Sequence, residues 1–305
     1  MASGKQARHY NSKSKLTKRK IILIVIIAIV ILAVISVVLL TGMKSGGENA
    51  DIFKRGDKIT VDDPVLGEIE VGAIQGAKKN TYENENFKID ENGYKAYYID
   101  GKKASCTGID LSEYQGDIDF EAVKNSGVDY VMLRLGGRYY SDEGMLFVDM
   151  QFDTYYEEAK KAGLDVGVYF FSQATDVSEA EDEARFIVRK LNGKKLDYPI
   201  AFDWETIEGD NARTDYVTET ELTDMAIAFC DTINEAGYRS MIYSNTTLMY
   251  FTYQLERLQD YDFWIADYEE YPSMHYLFTM WQYDTNGQVD GIDGAVDLNI
   301  CLKKY

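Results

Sequence analysis

From Cys106 onward, short apolar segments alternate with amphipathic helical ones, and this alternation constrains the fold more than any other feature of the chain. The apolar segments fall at 108–111, 130–135, 166–171, 199–205, 241–244 and 263–267. Each has strand length, and helical patterns separate most of them. Ser178-x-x-Glu181 and Thr218-x-x-Glu221 read as capping boxes that open two helices. After the second, Leu222, Met225, Ala226, Phe229 and Ile233 share one helix face. Such alternation over about 200 residues predicts a parallel α/β architecture, either a barrel or an open sheet. The end breaks the pattern. Segments 277–283 and 295–300 are both strand-like, and the link between them is too short for a helix, so they read as an antiparallel hairpin closing the sheet. The expectation is roughly five βα units followed by three strands.

Charge separates the ends of the chain. The 305 residues hold 51 Asp and Glu against 32 Lys and Arg, a net charge of −19. Residues 1–44 carry eight cations and no acid, which leaves −27 on the rest. An acidic domain of that kind repels phosphate backbones, which argues against nucleic-acid binding. Two histidines and three cysteines leave little for imidazole catalysis or a Cys-rich metal module, and no cofactor is expected. Carboxylates and 24 tyrosines remain in quantity.

Residues 21–40 are aliphatic apart from Ser36. Twenty helical residues span about 30 Å, the thickness of a bilayer core. Seven cations precede the run and no small-residue cleavage pattern follows it, so it reads as an uncleaved transmembrane signal anchor. The tail 1–20 then lies in the cytoplasm and the acidic remainder outside the cell membrane; a secreted protein is the alternative. Residues 41–105 are polar, with weak strand-like patches, and read as a stalk or a small β appendage. The catalytic-type domain is 106–305.

The sharpest local feature is Pro199-Ile-Ala-Phe-Asp-Trp-Glu205. On a strand, Ala201, Asp203 and Glu205 share one face, while Ile200, Phe202 and Trp204 share the other. In a barrel the large apolar face packs against helices and the acidic face points inward at the strand's C-terminal end. Trp204 is accordingly read as core. Two acids so placed repel one another and raise one pKa, which keeps a proton available beside a carboxylate. A glycosidic bond needs that combination. Solvated acids in an acidic protein would give the same local pattern. Asp110 ends the first strand and Asp297 lies in the last, so in a closed barrel the two would converge on the same mouth.

The motifs Gly108-Ile-Asp110 with Tyr114-Gln-Gly116, Val166-Gly-Val-Tyr-Phe170, Phe202-Asp-Trp-Glu205, Ala236-Gly-Tyr238 with Ile242-Tyr243, Phe263-Trp-Ile-Ala266, Trp281-Gln-Tyr283 and Val296-Asp-Leu-Asn299 occur in that order. Together they make the region from about 107 to 300 resemble the glycoside hydrolase family 25 muramidases. The resemblance implies a modified TIM-like β/α barrel that hydrolyses the β-1,4 bond between N-acetylmuramic acid and N-acetylglucosamine in peptidoglycan. It implies Glu205 as general acid and Asp203 as the stabilising or nucleophilic carboxylate, with Asp110 and Asp297 completing an acidic mouth and no metal or organic cofactor. Attack by Asp203 and attack by the substrate's own acetamide both remain open.

Tyr114, Tyr169, Tyr243 and Trp281 are candidates for stacking sugar rings, with barrel packing as the competing use of each. Arg134, a cation inside an apolar strand, is expected to pair with an acid and to hold the carboxylate cluster charged. If the last strand runs antiparallel to the first, Cys106 and Cys301 lie about 13 Å below the aspartates on adjacent strands. There they either form a disulfide or remain two buried thiols. The competing functions are a non-catalytic peptidoglycan-binding module of an envelope complex and a chitinase-like hydrolase; loss of an acid would mark the first, and a longer acidic motif around Asp203 the second. Neither sign is present. Protein partners are not readable from the sequence.

Overall fold

The computed structural model describes residues 51–63, 65–141, 143–207 and 212–305. The basic tail and the apolar run at 21–40 lie outside the described residues. Among the described residues no helix is long and apolar enough to cross a membrane.

Two small antiparallel sheets come first: β1 (Lys58–Asp63) with β2 (Gly67–Gly72), then β3 (Phe87–Ile89), β4 (Lys95–Ile99) and β5 (Lys102–Lys103). The alternating part follows as β6 (Cys106–Leu111), α1 (Phe120–Asn125), β7 (Tyr130–Arg138), β8 (Leu146–Val148), α2 (Phe152–Lys161), β9 (Asp165–Ser172) and α3 (Val177–Leu191). It continues with β10 (Ile200–Trp204), α4 (Glu219–Glu235), β11 (Ser240–Asn245), α5 (Thr246–Phe251), β12 (Asp262–Ala266), β13 (Met280–Gly287) and β14 (Val296–Cys301). Strands β6, β7, β9, β10, β11, β12 and β13 pair in parallel in that order. Strand β14 is antiparallel to both β13 and β6, which closes an eight-stranded barrel. Five βα units followed by three strands is the order expected from the sequence.

Strand alternation sorts side chains between two layers. On β10, Ile200, Phe202 and Trp204 face outward into the large core, where Phe202 lies 5.0 Å from Phe229 of α4. Trp204 is buried there and donates its indole N–H to Ala174 O at 3.1 Å, so it packs rather than binds sugar. Inside the barrel, Tyr130, Met132, Tyr198, Ala201, Met241, Met280 and Cys301 fill the space beneath the mouth. Gly108 is required by that filling: a Cβ there would stand 2.1 Å from the Tyr130 ring. Thr218 and Glu221 form the expected capping box of α4. The start of α3 differs from expectation. Its cap is Asp176, whose carboxylate accepts from Glu179 N–H, and Ser178 lies inside the first turn.

Cys106 and Cys301 are direct cross-strand partners, as the antiparallel register requires. Both thiols are nonetheless free, so the disulfide considered from the sequence is absent. The Cys301 thiol donates instead to Lys303 O at 3.1 Å.

Residues 51–105 supply a layer that the barrel lacks. Among the described residues no helix follows β12, β13 or β14, so the outward apolar side chains of this arc need another cover. The β appendage provides it: Phe53, Ile59, Phe87, Tyr94 and Tyr97 join Phe278, Trp281, Tyr283 and Leu298 in one buried cluster. Phe87 sits 5.4 Å from Trp281, Tyr82 OH donates to Phe278 O at 3.0 Å, and Asn80 donates to Met274 O at 2.8 Å. Residues 51–305 accordingly form one compact unit. Phe87→Ala should therefore destabilise the barrel itself by about 3–5 kcal/mol. Urea denaturation followed by tryptophan fluorescence checks this; a loss confined to the appendage, with the barrel transition unmoved, contradicts it.

Candidate active site

The end of β10 carries Asp203 on the inward face and leaves Glu205 one residue beyond the strand. Gln173 pins this exit, donating to Glu205 O at 2.8 Å while its own carbonyl accepts from Thr214 at 3.2 Å. The Asp203 and Glu205 side chains hydrogen-bond one another. Burial pushes both above the usual carboxylate range, and the negative charge of Glu205 pushes Asp203 further. The stronger shift falls on Asp203, because it is buried while Glu205 is half-buried. The pair therefore favours holding one shared proton. Asp203 Oδ1 has no hydrogen-bond partner among the described residues.

A second carboxyl pair faces the same space. Asp110 on β6 and Asp297 on β14 are direct cross-strand partners and hydrogen-bond each other. Burial raises both, and for Asp110 the charge of Asp297 adds to it. Asp110 Oδ2 accepts from Gln282 Nε2 at 2.9 Å and Asn299 Nδ2 at 2.7 Å. The far ends of those amides are fixed in turn. Asn299 Oδ1 accepts from Trp264 Nε1 at 2.8 Å, and Gln282 Oε1 accepts from Tyr243 OH at 3.0 Å and Tyr268 OH at 2.7 Å. With both amide oxygens occupied by donors, the two NH₂ groups must point at Asp110.

These four acids line a cavity of about 190 Å³, together with Arg134, Tyr169 and Tyr243 from the expected set. Phe171, Trp264 and Gln282 complete its wall and were not expected. Among the described residues no group of His, Cys, Asp or Glu has the arrangement that holds a metal ion. Arg134 pairs with acids as expected, but with different ones: its Nε donates to Asp149 at 2.7 Å and its Nη2 to Glu113 at 3.2 Å. Its charge still favours ionised Asp203. Tyr114 lies outside the cavity. It is 81% exposed, packs 4.8 Å from the Arg134 guanidinium, and lines an adjoining groove of about 560 Å³ with Tyr139, Tyr140 and Phe147. Arg134 and Phe171 belong to both spaces, so the groove continues from the cavity.

Trp281 is not a site residue. Strand parity turns it outward, where it is fully buried against Phe87 and donates to Asp267 O. Gln282, its neighbour in the chain, takes the inward place. The same parity marks Asn299 and Trp264: Asn299 is two residues from Asp297 on one strand face, and Trp264 is the register partner of Tyr243. A polar residue between two aromatics on a strand is the signal that locates Gln282.

The groove wall rests on a buried ion pair. Arg138, at the end of β7, donates to Glu183 on α3 at 2.6 Å and to Gly144 O at 2.8 Å, which ties the β7–β8 turn to the helix. Ser172 donates to the other Glu183 oxygen at 2.6 Å. Burial still pushes Glu183 up to about 7.

Comparison with known proteins agrees with this geometry. The family model for glycosyl hydrolases family 25 matches residues 109–292. The chain belongs to that family. An autolytic lysozyme of Clostridium acetobutylicum is 30% identical over 193 residues, a match that covers 63% of this chain and 54% of that protein. The match thus spans about half the length of this relative. The spore cortex lytic enzyme SleM of Clostridium perfringens has a similar structure, with 26% identity, a TM-score of 0.57, and coverage of 67% of this chain and 69% of that one. The fold is also that of the modular autolysin LytC of Streptococcus pneumoniae, at 21% identity and a TM-score of 0.59, covering 82% of this chain and 58% of that one.

The four cavity acids give a signed pH effect. Carboxyls whose folded pKa lies above the unfolded value contribute stability that is complete below the unfolded range and lost as pH rises through the folded values. Asp110, Asp203, Glu205 and Asp297 are all raised. The melting temperature should fall as pH rises from the ordinary carboxylate range through neutrality. Asp203→Asn should raise it at the upper end and flatten the slope. Thermal scans across that interval check this, and a melting temperature that rises with pH contradicts it.

Proposed function

We propose that the protein is a lysozyme-type glycosidase that cleaves the β-1,4 bond between N-acetylmuramic acid and N-acetylglucosamine in peptidoglycan. The observation that carries this reading is the pair of hydrogen-bonded carboxyl couples facing one cavity, both held above the usual carboxylate range. Membership of family 25 and the likeness to an autolytic lysozyme support it. The adjoining aromatic groove suits further sugar rings of the same strand.

Glu205, the more exposed of its pair, is the general acid. As positive charge develops at the anomeric carbon, ionised Asp203 becomes the favoured state while Glu205 gives its proton to the leaving oxygen. Carboxyls that share a hydrogen bond stand too close to flank a glycosidic bond from opposite faces, where catalytic pairs lie at least about 5 Å apart. This supports attack by the substrate's acetamide oxygen, with Asp203 orienting the acetamide and stabilising the ring that forms. Water then opens that ring with retention of configuration.

The anchor belongs to the same proposal. Residues 21–40 span the cell membrane with the basic tail in the cytoplasm, and the family 25 unit works outside, within reach of its own membrane. Protease treatment of intact cells should release that unit, and alkaline washing should leave residues 1–50 with the membrane.

Incubation with purified peptidoglycan, followed by reduction and mass analysis, tests the chemistry. New reducing ends should appear at muramic acid, and Glu205→Gln should slow their release about 10²–10⁴-fold. Substrate lacking the N-acetyl group on the cleaved sugar should resist. New ends at glucosamine would show the wrong bond, and binding without release would indicate a non-catalytic module.

A further inference from the structure

Lys95 lies on β4 in the appendage, yet its ammonium is committed to a loop beside the site. Its Nζ donates to Glu270 O at 2.8 Å and Glu269 O at 3.3 Å. It also stands 4.5 Å from the Trp281 ring centroid and 5.3 Å from that of Tyr283, whose hydroxyl accepts the Lys95 backbone N–H at 3.2 Å. A half-buried ammonium held by two carbonyls and two aromatic faces is a fixed support rather than a solvated surface charge.

The carbonyls belong to the connection between β12 and β13, which begins at Asp267. Tyr268, immediately before Glu269, is 55% exposed, so its own packing holds it weakly. Its hydroxyl nevertheless donates to Gln282 Oε1 at 2.7 Å, and Gln282 donates to Asp110. The path from Lys95 to Asp110 is therefore Lys95, the Glu269 and Glu270 carbonyls, Tyr268, Gln282 and Asp110. The Gln282 amide is the sensitive link. With one of its two tyrosine donors lost, a flip of the amide brings oxygen instead of N–H toward a carboxylate.

We propose that Lys95 is a positioning residue for the reaction: it fixes the β12–β13 connection so that Tyr268 keeps Gln282 turned toward Asp110. The β appendage is then part of the catalytic device as well as a cover for the barrel. This rests on the glycosidase reading for its kinetic consequence, but its structural half stands on the loop alone.

The test uses the full-length chain in detergent with Lys95→Met, Lys95→Arg, Tyr268→Phe and the Met/Phe double variant. Backbone hydrogen exchange over 267–273 should quicken in Lys95→Met and return toward the parent in Lys95→Arg. On peptidoglycan fragments, Lys95→Met should lower kcat about tenfold to a hundredfold with KM within about twofold, since a small misplacement of reacting groups has that effect. Tyr268→Phe should lower it similarly, and the double variant should be no slower than the worse single one, because both act through Gln282. Multiplying losses in the double variant, or unchanged exchange together with unchanged kcat in Lys95→Met, overturns the proposal. If the parent releases nothing from peptidoglycan, the glycosidase reading falls, while the exchange measurement still decides whether Lys95 fixes the loop.

Discussion

The site depends first on the antiparallel seam between β6 and β14. That seam closes the barrel, and its register sets Asp110 opposite Asp297. A slip of one residue would turn every side chain of β14 to the other face, sending Asp297 and Asn299 outward and bringing Leu298 in. Register is held by the apolar side chains that must face the outer core, Ile109, Leu298 and Ile300 among them. Packing on one side of the strand thus enforces the acid pair on the other.

Four carboxyls around a small cavity oppose folding, because burial and mutual repulsion both disfavour their charged forms. The structure limits that cost by sharing protons within each pair and by aiming donors at Asp110. The amides of Gln282 and Asn299 supply those donors, and three aromatic side chains, Trp264, Tyr243 and Tyr268, fix the amides. Raised carboxyls are what acid catalysis needs, so under the proposed function the destabilising arrangement is also the working one. Along the groove wall, Arg134 and Arg138 each meet acids at hydrogen-bond distance, so the cations that shape the groove are not left unpaired.

The uneven cover of the barrel explains the N-terminal sheets. Five strands carry helices after them; the last three do not, and the appendage fills the arc they leave open. Its strands were faint in the sequence because they are short and their burial alternates weakly, as in the half-exposed pattern of β2. Their role is visible only in contact with Trp281, Tyr283 and Phe278.

The sequence by itself determined the order of strands and helices, the inward face of β10 and the convergence of Asp110 with Asp297. These follow from local periodicity and from the parity of a strand, which a linear pattern records. Tertiary structure alone decided the partners. Arg134 meets Asp149 and Glu113 rather than the four cavity acids, and Trp281 turns to the appendage while Gln282 turns to those acids. The thiols of Cys106 and Cys301 stand on paired residues and remain free. Partner choice and burial are set by residues far apart in the chain, and no local pattern carries that information.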